Sequence, residues 1–145
     1  MAASSAHVPV EHPEVSWLDA EIEVSLATYQ AYQVLYYTFI ALPLIAGFAK
    51  FLHVLAPWES YVSPAIASFL HLSQGAVAIL AGFIELMTAA AVALKPRIGS
   101  WVVTVWMWLI AVNLIDVPEH AEMVLFTAAL SAAGYAFTRL SAECN

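Results

Sequence analysis

Between Ala31 and Leu55, and again between Gln74 and Leu94, the chain runs through apolar residues broken by a single charge, Lys50 in the first stretch and Glu85 in the second. Runs of this length match the ~20 residues a helix needs to cross a hydrocarbon layer of ~30 Å. A lone charge at mid-bilayer costs at least about 2.5 to 3.5 kcal/mol on insertion scales, so these two side chains constrain everything around them. Each follows a glycine by three residues, in Gly47-Phe48-Ala49-Lys50 and Gly82-Phe83-Ile84-Glu85. On a helix that spacing puts the glycine and the charge on one face, and the absent side chain lets a neighbouring helix approach closely. The expectation is a Lys50–Glu85 bridge on facing helices, or one shared with Asn113 and Asp116, that fixes helix register.

The rest of the chain has the composition such a pair requires. Of 145 residues, 63% are hydrophobic and 10% charged, too apolar and too sparsely charged for an ordinary soluble domain. The reading is all-α: a four-transmembrane-helix bundle over residues 31–145, preceded by an extension over residues 1–30 that carries an amphipathic helix. No separate catalytic domain fits in this length. A net charge of −7, with four Lys and Arg in all, argues against nucleic acid and against an anionic membrane surface as partner, because both select clustered basic residues. The single Cys144 excludes an intrachain disulfide. The N-terminal end lacks the basic and continuous apolar regions of a signal peptide, so residues 1–30 are expected to be retained.

Met1 to Val15, with Ser4, Ser5, Pro9 and Pro13, has no periodicity and is expected to be extended or disordered. His7, Glu11 and His12 within it are too few ligands to close a metal site alone. Ser16 and Asp19 resemble a capping box, and Leu18, Ile22, Leu26 and Tyr29 follow at helical spacing. This predicts an amphipathic helix over Trp17 to Gln30 whose acidic face, with Asp19, Glu21 and Glu23, suits a partner protein better than lipid headgroups. The four spans are placed at about 31–55, 74–94, 98–117 and 123–140. The first opens among Tyr29, Tyr32, Tyr36 and Tyr37, aromatic residues suited to the headgroup level, and holds Pro43 at a predicted kink. Ser63-Pro64 reads as a helix start, giving a short surface helix over Ala65 to Leu72 or the first turns of the second span. Ala78 and Gly82 form a small-xxx-small pair for close helix contact, and Gly134 belongs to a similar surface in the fourth span. With four spans, Lys95, Arg97 and Arg139 fall on one side. The positive-inside rule makes that side cytoplasmic, together with both termini of a multi-pass integral membrane protein.

The same residues allow chemical readings. Lys50 lies roughly 7 Å and Glu85 roughly 16 Å below the same surface at the helical rise per residue, a difference a lysine stem spans. Beside the structural bridge stands a proton or substrate site in which a desolvated Glu85 exchanges protons, and beside that a snorkelling lysine. His53, His71 and His120, with Glu59, Glu119 and Glu122, occupy the opposite loops, where a metal or haem site is conceivable but no dedicated spacing supports it. Trp106 and Trp108 point to nearly opposite helix faces, and a quinone or pigment ring stacked there is unspecific. The chain contains no CxxCH, phosphate-binding glycine loop, nucleophile elbow or HExxH, so no cofactor and no catalytic residue is predicted.

The Gly47-x-x-Lys50 late in span one, the Trp58 loop, the Gly82-x-x-Glu85 in span two and the Lys95-Pro96-Arg97 turn together resemble the DoxX-like family of small four-helix membrane proteins, over roughly Tyr36 to Ile115. The resemblance implies a link to membrane redox assemblies, such as quinol oxidase or thiosulfate:quinone oxidoreductase subunits, with Lys50 and Glu85 as the family's buried polar pair. This chain departs from the pattern in its acidic N-terminal helix. It also has Tyr32, Gln33 and Tyr36 where an arginine often opens the first span. The expected function is a non-catalytic accessory subunit docked, within the lipid bilayer, into a larger membrane complex that handles electrons or quinones. The alternatives are a quinone-binding redox component and a small proton-coupled transporter using Glu85.

Overall fold

A computed structural model describes residues 13–144 of the chain, with side chains from Ser25 onward. Five helices follow one another: α1 (Pro13–Leu52), α2 (Pro64–Leu70), α3 (Gln74–Leu94), α4 (Pro96–Ile115) and α5 (Ala121–Cys144), with 3-10 turns at Trp58–Tyr61 and Pro118–His120. Among the described residues there is no strand. Four helical segments are long and apolar enough to cross a membrane, Ser25–Leu52, Gln74–Leu94, Pro96–Ile115 and Pro118–Cys144, as the chain's hydrophobic runs require. The His7, Glu11 and His12 group lies outside the described residues.

Local chemistry sets the boundaries. Ser63 caps α2 by accepting from the amides of Ala65 (3.1 Å) and Ile66 (3.3 Å), with Pro64 in the first turn, the arrangement expected of an N-cap serine followed by proline. Ser73 caps α3 in the same way through Ala76 N–H. One residue, Lys95, separates α3 from α4, and Pro96 starts α4 where its missing N–H costs nothing. Helix α1 stops at Leu52 rather than Leu55, because His53 and Leu55 take positive φ of 53° and 73°, a backbone region an α-helix cannot use. The expected amphipathic helix is the beginning of α1 itself. The backbone is helical from Pro13 through residue 30 into the first span, so Ser16 is not its cap. Span four runs beyond its apolar limits at both ends, to Ala121–Cys144, whereas span three starts two residues earlier, at Pro96, and stops two residues sooner, at Ile115, where Asp116 ends the helix.

The long helices form an antiparallel up-down bundle. Tyr36 donates to Ala93 O while Lys50 reaches Glu85, which sets α1 against α3. Val92 abuts Gly99 across the α3–α4 turn. Thr104 meets Gly134 and Ser131 across α4 and α5, and Phe137 stacks on Tyr32 and Phe39, closing α5 onto α1. The main core, Tyr32, Phe39, Val92, Val103, Met107 and Phe137, fills the half nearer the Lys95 turn. A second cluster of Val62, Ala67, Val77 and Ala78 lies under α2 at the opposite end. Ala78 therefore packs beneath the loop, while Gly82, one turn along, faces α1. Between α4 and α5 the packing is small and hydroxylated. Ser131 donates to Thr104 O, and Thr104, Thr127 and Thr138 return their hydroxyls to carbonyls of their own helices, which lets two backbones lie close in a medium that offers no water. Large apolar side chains such as Phe83, Leu109 and Leu125 point outward, as they do when lipid is the solvent.

Candidate functional site

Helices α1 and α3 cross where both lack a side chain. A Cβ on Gly47 would lie 2.8 Å from the Gly82 carbonyl oxygen, and one on Gly82 would lie 3.1 Å from the Gly47 carbonyl oxygen and 3.1 Å from Lys50 Cβ. The two backbones are in contact, and the lysine stem passes over Gly82 in space a methyl group would take. This gives the Gly-x-x-charge repeat its physical content. One glycine admits the facing helix, and the other admits the stem of the charge that must reach across.

Lys50 stands in the last turn of α1 and Glu85 in the middle of α3. The ammonium descends to the carboxylate and donates to both oxygens, at 2.9 Å to Oε1 and 2.7 Å to Oε2. The side chains are 10% and 5% exposed. At that separation two opposite charges attract by about 6 kcal/mol at an effective dielectric of about 20, set against a desolvation cost of several kcal/mol for each ion. The remaining face of the ammonium lies 4.1 Å from the centroid of the Trp58 ring, a cation–π contact. Trp58 is itself held by its indole N–H on Val54 O at 2.8 Å. From α4, Trp106 turns its indole N–H toward the same carboxylate without closing a hydrogen bond. Trp106 Nε1 is one of two buried side-chain atoms without a hydrogen-bond partner among the described residues, Ser141 Oγ being the other.

Asn113 and Asp116 do not share this bridge. They form a second polar knot at the Trp58 end, which ties the connection between α1 and α3 to the end of α4. Asn113 accepts from Ser63 N–H at 2.9 Å and donates to Tyr61 O at 2.6 Å, and Asp116 accepts from Ser63 Oγ at 2.6 Å. Gln74 adds a bond to Val62 O. The three histidines are not brought together either. His53 and His71 are exposed at helix ends in left-handed backbone, whereas His120 stacks on Tyr61 with centroids 3.7 Å apart and shares a bond with Ser60 Oγ. Among the described residues, no three His, Cys, Asp or Glu are placed to hold a metal ion.

Sequence reasoning missed Gly99, where a Cβ would lie 2.4 Å from Val92 backbone atoms, and the roles of Trp58 and Trp106 beside the ion pair. One signal was available for the polar knot: Asn113 and Asp116 are three apart on one helix face, and Ser63 had already been identified as a cap. Gly134 does serve as a contact, since a Cβ there would lie 2.8 Å from Thr104 Oγ1. The arrangement is a neutral, internally satisfied pair at a glycine crossing, with one spare donor aimed at its carboxylate. Comparison with protein-family models, with curated proteins and with solved structures returned no match.

Proposed function

We propose that this chain is a non-catalytic membrane subunit that anchors a larger complex through the N-terminal part of α1. The observation that carries the reading is length. At the helical rise, the 40 residues of α1 span about 60 Å, against about 36 Å for the 24 of α5. Cys144, at the far end of α5, packs against the cluster that contains Tyr32, so the start of α1 extends past the bundle. The helical stretch from 13 to 30 contains Glu14, Asp19, Glu21 and Glu23 and no Lys or Arg. A rigid acidic rod emerging beside the membrane fits a basic surface on a neighbouring subunit. By the positive-inside rule, Lys95, Arg97 and Arg139 put that rod and both termini on the cytoplasmic side. The resemblance of the Gly47-x-x-Lys50 and Gly82-x-x-Glu85 pair to DoxX-like proteins makes an electron-transfer or quinone-linked complex the first class of partner to examine.

The test is co-purification from mild detergent, comparing the full chain with a variant carrying Asp19→Asn, Glu21→Gln and Glu23→Gln. The full chain is expected to migrate in a larger assembly whose other subunits can be identified by mass, and the variant to migrate alone. Equal behaviour of the two would end the proposal. A second reading, a proton-exchanging site at Glu85, rests on one observation, an ionisable carboxyl group only 4% exposed in the middle of an apolar span. Glu85→Gln separates the two: an anchoring subunit leaves its partner's turnover intact, whereas a proton site loses it.

A further inference from the structure

Apart from Lys50, every positive side chain in the sequence lies at the Lys95 end, on Lys95, Arg97 and Arg139. Two of the three are placed together by the packing of α4 on α5. Trp101 and Tyr135 meet across these helices with ring centroids 6.3 Å apart, edge to face, and both are about half exposed on the outside of the bundle. Arg97 precedes Trp101 by four residues on α4, and Arg139 follows Tyr135 by four on α5. In antiparallel helices these offsets set the two arginines opposite each other, one turn beyond the aromatic pair and on the same outer face. Both arginines are exposed, and among the described residues the one ion pair within 4 Å is Lys50–Glu85, so neither guanidinium is engaged by an internal acid.

The result is a lipid-facing strip with two cations at its end and two aromatic rings a turn deeper. We propose that this strip binds one anionic phospholipid of the adjoining leaflet, with Arg97 and Arg139 donating to the headgroup phosphate and Trp101 and Tyr135 packing on the glycerol and upper acyl chain. Guanidinium groups suit phosphate because their planar N–H forks match its oxygens. Basic sites between transmembrane helices select anionic headgroups in the same way. The whole-chain charge of −7 repels anionic lipid at long range, so selectivity for it has to come from this local pair. The inference depends on the chain spanning a bilayer and not on its having a protein partner.

Native mass spectrometry of the full chain in detergent with added phosphatidylglycerol or phosphatidylcholine tests it. Wild type is expected to retain one phosphatidylglycerol in preference to phosphatidylcholine. At about 1 kcal/mol per basic residue, Arg97→Gln or Arg139→Gln should weaken retention about fivefold and the double variant about 25-fold. Arg97→Lys with Arg139→Lys, which keeps the charge, should retain part of it, and Lys95→Gln should leave it unchanged. Circular dichroism and elution volume establish that each variant is folded. The proposal is overturned by equal retention of the two lipids, by a folded double glutamine variant that binds as wild type does, or by Lys95→Gln weakening retention as much as Arg97→Gln. Displacement of the lipid by millimolar inorganic phosphate would also overturn it, since the site would then hold a free ion.

Discussion

Removing either partner of the Lys50–Glu85 bridge leaves a charge behind, but the two remainders are in different places, and the costs should differ accordingly. Lys50 is two residues from the end of α1. With Glu85 replaced by Gln, its stem can turn toward the Trp58 end and bring the ammonium to the headgroup layer. Glu85 is eleven residues into α3 and 4% exposed, and its short side chain has no such route. Lys50→Met therefore strands a carboxylate that had two contacts of 2.7 and 2.9 Å, with only the Trp106 N–H near it. The expected loss is about 3 to 5 kcal/mol for Lys50→Met, the range for breaking a buried pair from one side, and no more than about 2 kcal/mol for Glu85→Gln. The double variant Lys50→Met/Glu85→Leu removes both charges and should recover to within about 1 kcal/mol of wild type or exceed it. Reversible unfolding in mixed micelles titrated with dodecyl sulfate, followed by far-ultraviolet circular dichroism, reads all three. Equal losses for the two single variants would refute the depth argument, and a double variant as unstable as Lys50→Met would refute the pairing itself.

Other substitutions probe the neighbouring features. Gly82→Ala should destabilise by about 1 to 3 kcal/mol in the same titration, because its methyl group would meet both the Gly47 carbonyl and the Lys50 stem. Gly75→Ala, with nothing within 4 Å of the added carbon, should be neutral or stabilise by up to about 1 kcal/mol. Asn113→Ala loses two bonds to the Tyr61–Ser63 backbone and should cost about 1 to 3 kcal/mol, with faster amide exchange over residues 57–73 and little change in α5. Trp106→Phe removes a buried donor that has no partner and should leave stability unchanged or slightly higher. A clear loss would mean that this N–H supports Glu85 after all.

The ion pair was legible in the sequence because the membrane makes it so. Only two charges interrupt the first two spans, each three residues after a glycine, and a medium that penalises isolated charge leaves few ways to place them. The glycine crossing followed from the same spacing. The extent of α1 was not legible, since hydropathy marks where lipid begins and not where a helix does. Nothing between Asp19 and Tyr29 breaks the backbone even though the residue types change. Of the two arrangements the sequence left open for the bridge, the one shared with Asn113 and Asp116 is not the one formed, for a related reason. Their polarity calls for hydrogen bonds, but the nearest need was that of the loop backbone at Tyr61 and Ser63, which a reading of side chains alone does not count. The histidines failed to converge because two of them end helices in left-handed backbone, a local role that composition does not reveal. Gly99 falls inside the expected third span with no role attached, whereas it is the place where α3 and α4 touch.

The bridge also has a history in time. Lys50 leaves the ribosome thirty-five residues ahead of Glu85, so for that interval the first segment enters the insertion machinery with no counter-ion made. Until α3 emerges, the position of Lys50 two residues from the end of α1 lets its ammonium stay among the headgroups, and the bridge closes only when the second segment arrives.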